Sequence, residues 1–415
     1  MKLRYLFFYI LYLTANFLMA QPPLSDSAKI SLMTCAPWSG AVYALYGHTA
    51  VWVKDDSTHT DVVFNYGFFD SSQPNFIYHF VRGETDYVLG VTSFEDFISE
   101  YRSKGVSVWE QPLNLSQGEK QTLWKALYIN SLPENRSYRY NFLYDNCATR
   151  PRDMVEKYVE GKIIYPKTTD NQTYRNLLHE CLHPYPWMEF GIDLIIGAPA
   201  DRKIDERDKM FLPEYLMRAF EGAIVEKNDT LRYPLVQQTR VILTSNNAAK
   251  VSEYSIFTPL NMAFALLLIT LLLSIIQVNN INNGFLIKVF DTLLFGMVGL
   301  GGTIVFFLMY FSEHPATNPN WNFVWLNIIS LLIAVLFWIK SAEKVVHIYH
   351  FINFAALTLF LFFWWLIPQQ LPVASIPISL CLWVRSGVNM WLIRKEKRKQ
   401  KKYTSAKYLK AGWGQ

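Results

Sequence analysis

Apolar residues are distributed unevenly along this chain of 415 residues. As far as about residue 255 they occur in short segments interleaved with polar residues, which is typical of a globular domain. From 257 to 393 they form long runs that are interrupted only by short polar loops. A helix needs roughly 20 apolar residues to cross the hydrocarbon core of a bilayer. The pattern therefore predicts five transmembrane helices, at about 257–277, 289–311, 323–340, 348–367 and 374–393.

The N-terminus has the layout of a secretory signal peptide. Residues 1–20 begin with Lys2 and Arg4, continue as an apolar stretch and end in the small residue Ala20. The apolar stretch is roughly 14 residues long, which is short for a membrane span. No cysteine sits at the expected cleavage point, which excludes a lipoprotein signal. We therefore expect the chain from residue 21 onward to start outside the cytoplasm, whether the peptide is cleaved or retained.

Positive charges in the loops indicate the orientation of the predicted spans. With the N-terminal domain outside, Lys288 lies in the first inner loop, and Lys340 and Lys344 lie in the second. The outer loops, 312–322 and 368–373, contain no Lys or Arg. Loops rich in Lys and Arg stay in the cytoplasm. Every loop therefore agrees with this topology.

A basic tail follows the fifth span and supplies much of the net charge of +5. Basic residues next to an apolar helix hold its end in the cytoplasm, so this charge does not indicate nucleic-acid binding. The sequence thus divides into a signal peptide (1–20), an extracytoplasmic domain (21–255), a transmembrane domain of five helices (256–393) and a cytoplasmic tail (394–415).

The extracytoplasmic domain contains patterns of both strands and helices. Alternation of apolar and polar residues predicts strands at 47–54, 62–67 and 106–112, with a helix near 94–103. Ser116 with Glu119 three positions later is a capping-box signature, which predicts a helix through about residue 131. We therefore expect an α+β domain.

Cys147 lies where an aromatic segment passes into a predicted helix. The free amides and positive dipole of a helix N-terminus stabilise a thiolate, and Arg150 and Arg152 add positive charge nearby. His48, on a predicted strand, is the expected base for such a nucleophile. The pattern favours nucleophilic cysteine chemistry at Cys147. The alternative is a cysteine that only packs in the core, as most cysteines do.

A competing motif, HECLH at 179–183, matches the zinc-protease pattern H-E-x-x-H. That pattern requires both histidines one turn apart on a helix. Pro184 follows the second histidine, and a residue before proline disfavours the α conformation. We therefore expect the helix to end here and predict no metal site. Four cysteines are too few for a disulfide framework, although a Cys35–Cys181 bridge is permitted outside the cytoplasm.

Four stretches of the extracytoplasmic domain carry a resemblance to a known family. They are SLMTCAP at 31–37, YGHTA at 46–50, FNYG at 64–67 and YDNCATRPRD at 144–153. Together with the outer-loop segment 314–322 and the order of signal peptide, soluble domain and C-terminal spans, they resemble the lipoprotein N-acyltransferases of Bacteroidota. The resemblance covers essentially the whole chain.

A more distant resemblance concerns the fold. A strand histidine followed by Asn-Cys at a helix start is similar to circularly permuted papain-like folds (NlpC/P60-like), including the lecithin–retinol acyltransferase type. In those folds an acyl group passes from phospholipid through a cysteine thioester. The resemblance implies a permuted papain-like α+β domain and a third, orienting residue on the strand next to His48. Asn65 is the expected residue, with Asp61 behind it.

The family resemblance implies a cofactor-free acyltransferase of the cytoplasmic (inner) membrane. Its donor would be a membrane phospholipid, and its acceptor the N-terminal amine of a diacylglyceryl-cysteine lipoprotein. Residues expected to bind substrate lie beside Cys147 or in the outer loop: Asn146, Arg150, Arg152, His314, Asn320 and Trp321. The alternative for the outer loop is a solvated turn with no role in binding. Two other functions stay open, a cysteine hydrolase and a non-enzymatic envelope assembly factor. The sequence does not define the oligomeric state.

Overall fold

The computed structural model describes residues 22–411 except 73, 169, 229–230, 246–254 and 280–283. The predicted signal peptide at 1–20 lies outside the described residues. The chain forms two compact units. The first contains the segment through Phe80, Thr85–Gln172 and a segment that starts at Ile204; the second contains Val81–Glu84, Thr173–Lys203 and the C-terminal part.

The strands belong to the first unit. They are β1 (Lys29–Cys35), β2 (His48–Asp55), β3 (Thr60–Phe68), β4 (Asp86–Ser93), β5 (Val108–Pro112), β6 (Ser137–Arg139), β7 (Lys162–Ile164), β8 (Ile224–Lys227), β9 (Leu231–Pro234) and β10 (Arg240–Leu243). Seven of them form an antiparallel sheet in the order β10-β5-β1-β2-β3-β4-β6. The other three form a small antiparallel sheet in the order β7-β8-β9.

The α-helices are numbered in chain order. They are α1 (Phe76–Arg82), α2 (Phe94–Lys104), α3 (Gln117–Ser131), α4 (Thr149–Tyr158), α5 (Tyr174–Leu182), α6 (Pro186–Ile195), α7 (Glu206–Lys209), α8 (Pro213–Glu221), α9 (Pro259–Val278), α10 (Gly284–Tyr310), α11 (Ile329–Leu336), α12 (Glu343–Phe362) and α13 (Ser375–Ala411). With its sheets and helices, the first unit is a mixed α and β domain, as the sequence predicts. The permuted papain-like topology stays a prediction.

The large sheet is covered on both faces. Successive side chains of a strand point to opposite faces, so β2 contributes to two separate cores. Val51 and Val53 pack with residues of α3 and α4, including Leu123 and Val155. Ala50 and Trp52 pack instead with residues of α2, including Phe97. Burial on both faces fixes the register of β2 and, with it, the position of the strand's first residues.

The predicted capping box is confirmed at the start of α3. The carboxylate of Glu119 accepts hydrogen bonds from the amide of Ser116 (2.7 Å) and from its hydroxyl (2.6 Å). The amide of Glu119 donates to Ser116 Oγ at 3.4 Å. The other carboxylate oxygen of Glu119 accepts from the amide of Glu160 at 2.6 Å, which links α3 to the end of α4.

The second unit contains the long apolar helices. Among the described residues, four helices are long and apolar enough to cross a membrane: Pro259–Val278, Gly284–Tyr310, Lys340–Phe362 and Ser375–Lys401. They correspond to the first, second, fourth and fifth predicted spans. The last helix, α13, continues into the basic tail as far as Ala411.

The third predicted span, 323–340, differs from the expectation. The apolar helix Trp321–Leu336 is shorter than the other four and consists of a 3-10 turn (Trp321–Val324) followed by α11. Within the 3-10 turn, the side chain of Asn322 donates to Asp193 O at 2.8 Å and accepts from Trp325 Nε1 at 3.1 Å. The described part of the chain thus contains four full-length apolar helices and one shorter one.

A buried ion pair joins three of these helices, a feature that the hydropathy pattern did not indicate. Arg385 of α13 is 3% exposed and donates to Asp291 of α10 at 2.6 and 2.7 Å. It also donates to Ser274 and Gln277 of α9 at 2.9 and 2.8 Å. Charged residues within apolar helices are costly unless they are paired in this way.

Candidate functional site

His48 is the first residue of β2, and its ring contacts the neighbouring strand β3. Its Nε2 atom lies 3.3 Å from Oδ1 of Asn65. The β2–β3 register pairs Ala50 with Asn65. His48 lies two residues before Ala50, so its side chain and that of Asn65 are on the same face of the sheet. An amide oxygen only accepts hydrogen bonds. The contact therefore places a proton on Nε2 and leaves Nδ1 as the basic nitrogen of the neutral ring.

Asn65 is itself held in place. It is 3% exposed, and its Nδ2 atom donates to Thr92 Oγ1 of β4 at 3.1 Å and to Val63 O at 3.4 Å. The prediction that Asp61 lies behind Asn65 is wrong. Asp61 pairs with Lys54 at the far end of the hairpin and accepts from Trp52 Nε1 at 2.7 Å. The group behind Asn65 is the hydroxyl of Thr92.

Cys147 is half-buried and lies two residues before the first residue of α4. The backbone amides of Thr49 and of Cys147 itself lie near the sulfur, where they favour the thiolate and lower the pKa of the thiol. Thr49 directly follows His48, so the thiol lies against the start of β2. The structure thus brings Cys147 to the strand end that carries His48 and Asn65, as the sequence predicts.

The sequence predicts that free amides at the start of α4 stabilise a thiolate at Cys147, but two of these amides bond to Asn146 instead. Asn146 Oδ1 accepts from the amides of Ala148 (2.8 Å) and Thr149 (3.0 Å). Its Nδ2 atom donates to Phe142 O and Phe211 O, each at 2.9 Å. The side chain of Asn146 is therefore fully used within the protein, where it fixes the backbone on both sides of Cys147.

Burial keeps both reactive groups neutral at rest. It raises the pKa of the Cys147 thiol to about 11, against the opposing effect of the amides of Thr49 and Cys147. It lowers the pKa of His48 to about 4, although the bond to Asn65 favours the charged ring. At neutral pH the pair is thus a thiol and an imidazole. The expectation of a cysteine held as thiolate is not met.

The other side of His48 is closed by an aromatic residue and a second cysteine. The rings of His48 and Tyr101 stack with centroids 6.4 Å apart and planes 14° apart. Cys35 is opposite His48 in the β1–β2 register, is 1% exposed and hydrogen-bonds with Tyr101. Burial raises the pKa of Cys35 well above its usual value, so this thiol is an inert neighbour. All four cysteines are free in the structure.

Gly67 lies beside Cys147 at a bulge in β3, and sequence reasoning did not single it out. Its φ of +105° is in a region that favours glycine. A Cβ atom built there would lie 3.7 Å from Cys147 Cβ and 3.9 Å from Tyr140 Cε2. The missing side chain leaves space next to the thiol. A glycine within a strand pattern is the signal that could have located this bulge.

The two arginines near Cys147 have partners within the protein. Arg150 makes a bidentate ion pair with Asp145 at 2.6 and 2.7 Å, and its guanidinium lies 3.6 Å from the centroid of the Tyr138 ring. Arg152 is 4% exposed and donates to Asp153 Oδ1 (2.8 Å) and Arg207 O (2.9 Å). Both arginine side chains therefore bond to other residues of the protein near Cys147. Their predicted role in substrate binding stays a prediction.

The outer-loop residues predicted to bind substrate belong to the second unit. Asn320 is 4% exposed; its Nδ2 donates to Leu194 O at 2.8 Å and its Oδ1 accepts from Gln369 Nε2 at 3.1 Å. Its side chain therefore holds the loop to the last turn of α6. Trp321 is 39% exposed, and His314 is half-buried, with its amide donating to Ser312 Oγ at 3.2 Å.

The HECLH segment ends a helix, as predicted. Helix α5 stops at Leu182, and the side chain of His183 is 91% exposed. Among the described residues, His179, Glu189 and Asp193 have ligand atoms within 4.8 Å of one another. However, Asp193 Oδ1 already accepts from Arg175 Nη1 (2.6 Å) and His179 Nε2 (2.9 Å). Although burial opposes the charged ring, the bond to Asp193 raises the pKa of His179. We therefore describe this group as a buried ion-pair network.

Two family models match the chain. Residues 24–180 match the Lnb N-terminal periplasmic domain, and residues 251–397 match the Lnb transmembrane domain. The chain therefore belongs to the Lnb family, which is of the lipoprotein N-acyltransferase type of Bacteroidota. A periplasmic domain joined to a transmembrane domain fits a protein of the inner membrane. Comparison with curated proteins and with solved structures finds no match.

Proposed function

We propose that the protein is a lipoprotein N-acyltransferase with Cys147 as nucleophile, His48 as general base and Asn65 as the residue that orients His48. One observation carries the proposal. The amide of Thr49 lies near the sulfur of Cys147 and favours its thiolate, while the adjacent residue, His48, contacts Asn65 through Nε2. A nucleophile, a base and an orienting group in this order are the arrangement that covalent catalysis requires.

In the first half-reaction Cys147 attacks an ester carbonyl of a membrane phospholipid. The thiol proton moves to Nδ1 of His48 as the C–S bond forms. The ester C–O bond then breaks, and the imidazolium returns its proton to the glycerol oxygen of the departing lysophospholipid. The products are a lysophospholipid and an acyl thioester on Cys147. Because the pKa of His48 is about 4, its ring is neutral near pH 7 and can accept the thiol proton directly.

In the second half-reaction the acceptor is the α-amino group at the N-terminal diacylglyceryl-cysteine of a lipoprotein. The amine attacks the thioester carbonyl, and His48 removes its proton. The C–S bond breaks, and the sulfur of Cys147 recovers that proton. The amides of Thr49 and Cys147, which favour negative charge on the sulfur, would also stabilise the negative charge of the adduct beside it.

The surrounding polar residues hold this arrangement. Asn146 and Arg150 act as positioning residues, because their side chains are used by Phe211, Asp145 and the start of α4. His314 and Trp321 stay proposed contacts for the lipid substrates at the periplasmic face of the inner membrane. The C-terminus is proposed to lie in the cytoplasm, with the shorter apolar helix as the remaining crossing.

Intact-mass spectrometry of the full-length protein in phospholipid vesicles tests the function. The wild type should gain the mass of one acyl chain, mapped to Cys147, and should transfer it to a synthetic diacylated lipopeptide. Cys147→Ser and His48→Ala should insert in the membrane normally but form no thioester. Replacement of Cys35 by Ser is the matched control, since that thiol is buried, has a raised pKa and is not the proposed nucleophile.

The outcomes separate the three candidate functions. An adduct that is released as fatty acid with no transfer to the lipopeptide would indicate a hydrolase. Full support of lipoprotein maturation by the Cys147→Ser variant would indicate an assembly factor. Unchanged N-acylation of lipoproteins in a strain depleted of the protein would contradict the proposal.

A further inference from the structure

Aromatic rings form a continuous series that starts beside the thiol. Tyr140 and Cys147 both lie within 4 Å of the same point above Gly67. The Tyr140 ring stacks on Tyr87 with centroids 4.1 Å apart. Tyr87 in turn packs on Phe69 at 5.1 Å. These distances are those of rings in direct contact.

The series then branches to the surface of the first unit. Phe69 stacks on Phe76 of α1 at 5.6 Å and makes an edge contact with Tyr43 at 5.8 Å. Tyr43 is 68% exposed, and Ile77, next to Phe76, is 76% exposed. Helix α1 has no buried residue and no acidic residue. A series of contacting apolar side chains therefore extends from Cys147 to residues that meet solvent.

Tyr87 is buried in the core of the first unit, and Tyr140 and Phe69 pack against that core, but this packing does not cover the outer end of the series. Val42, Tyr43, Phe68 and Ile77 are each more than 40% exposed, so the chain itself leaves their apolar area uncovered. Exposed apolar area costs about 25 cal/mol per Å² relative to burial, and contiguous patches of it usually mark a binding surface. Continuity with the thiol indicates a ligand that reaches Cys147.

We propose that this aromatic series, lined by Tyr140, Tyr87, Phe69 and Phe76 and ending at Tyr43 and Ile77, binds the hydrocarbon chain of the acyl donor. The inference rests on the proposed function and deepens it by naming where the acyl chain lies. The carbonyl carbon sits at Cys147 beside Gly67, and the chain runs along the rings toward α1. None of the six residues is charged, and a series of contacting apolar side chains suits a long hydrocarbon.

The dependence of acylation rate on chain length tests the proposal. The full-length protein in detergent is mixed with p-nitrophenyl esters from acetate to decanoate, and nitrophenol release and the Cys147 adduct are measured. For the wild type the rate should rise with chain length. Phe69→Ala and Ile77→Ser should lower the decanoate rate about tenfold and the acetate rate less than about twofold, since remote binding energy promotes the chemical step only if the chain has its site.

Two controls separate the possible failures. Leu231→Ser changes another exposed apolar residue of the first unit, 56% exposed, and should leave the rate profile unchanged. If the Ile77→Ser and Phe69→Ala profiles run parallel to the wild type, and only vesicle substrates react more slowly, the surface docks on the membrane and the proposed chain site is wrong. If the wild type forms no adduct with any ester, the proposed function fails and this inference fails with it.

Discussion

The Nε2 atom of His48 lies 3.3 Å from Oδ1 of Asn65, and this contact decides which nitrogen of the ring can act as a base. The amide oxygen accepts the Nε2 proton, and this orientation of the Asn65 amide also lets its Nδ2 atom donate to the carbonyl of Val63, which only accepts, and to Thr92. The basic Nδ1 atom is therefore fixed by a residue on a different strand. Such an orienting partner matters in catalysis because an incorrect tautomer removes the base.

Replacement of Asn65 by Ala should lower the rate of Cys147 acylation by about 10- to 100-fold. The ring of His48 loses its partner, and both ring orientations and both tautomers become accessible. Stopped-flow measurement of thioester formation checks this result. Thr92→Val, which removes only the group behind Asn65, should give a smaller loss. Equal rates for the wild type and Asn65→Ala would show that the contact does not orient a catalytic ring.

The variant Asn65→Asp should shift the pH profile rather than abolish activity. A carboxylate next to the ring favours the imidazolium, so the pKa of His48 should rise from its value of about 4. The acid limb of the rate profile should then move to higher pH. A residue that only supported the fold would change the rate equally at every pH, and the measured profile distinguishes the two.

Alkylation of Cys147 should show the properties of a neutral thiol. Because burial raises the pKa of this thiol to about 11, the thiolate fraction grows as pH rises toward that value. The rate with iodoacetamide should therefore increase about tenfold per pH unit from about 7 to about 10. Peptide mapping separates Cys147 from the other three cysteines. A rate that reaches a plateau near neutral pH would instead indicate a resting thiolate–imidazolium pair.

Local signals explain what the sequence could predict. The capping box of Ser116 and Glu119 depends on residues three positions apart, and it forms as expected. Alternating residues defined β2 and β3, and hence the strand that carries His48. Cys147 was placed near a helix start because the polar segment before α4 is also a local pattern.

Features that depend on distant contacts could not be predicted in the same way. Asn146 occupies the amides at the start of α4, and its orientation depends on Phe211, which is 65 residues away. The choice between Asp61 and Thr92 as partner of Asn65 depends on the register of three strands. Thr49 affects the pKa of Cys147 through its backbone amide, which every residue except proline has, so the residue type could not indicate this effect.

Glu119→Ala should destabilise the periplasmic domain by about 2–4 kcal/mol, because the amides of Ser116 and Glu160 lose their acceptor in a buried place. Glu119→Gln keeps one carbonyl acceptor and should cost less. Ser116→Ala, which removes only the hydroxyl partner, should cost about 1 kcal/mol. Thermal unfolding of the purified protein should rank the variants in this order. A melting temperature unchanged by Glu119→Ala would mean that the link between α3 and the end of α4 adds no stability.

The ion pairs of Arg175 with Asp193 and Asp201 predict a structural role for the region around the HECLH motif at 179–183. Arg175 is 1% exposed and joins Asp193 (2.6 Å) to Asp201 (2.9 Å). Arg175→Leu would leave Asp201 without its cation and Asp193 with only His179 as partner, a change that costs about 3–5 kcal/mol. Adding Asp193→Asn should recover part of that loss, since one uncompensated charge disappears.

Chelation distinguishes this role from metal binding. With Asp193 Oδ1 engaged by Arg175 and His179, the network needs no metal ion for its charge balance. Dialysis against EDTA should therefore leave both the melting temperature and the rate of Cys147 acylation unchanged. The wild type should also stay more stable than Arg175→Leu at every EDTA concentration. A melting temperature that fell on dialysis and recovered with added Zn²⁺ would instead show that His179, Glu189 and Asp193 hold a metal ion, with Arg175 as its neighbour.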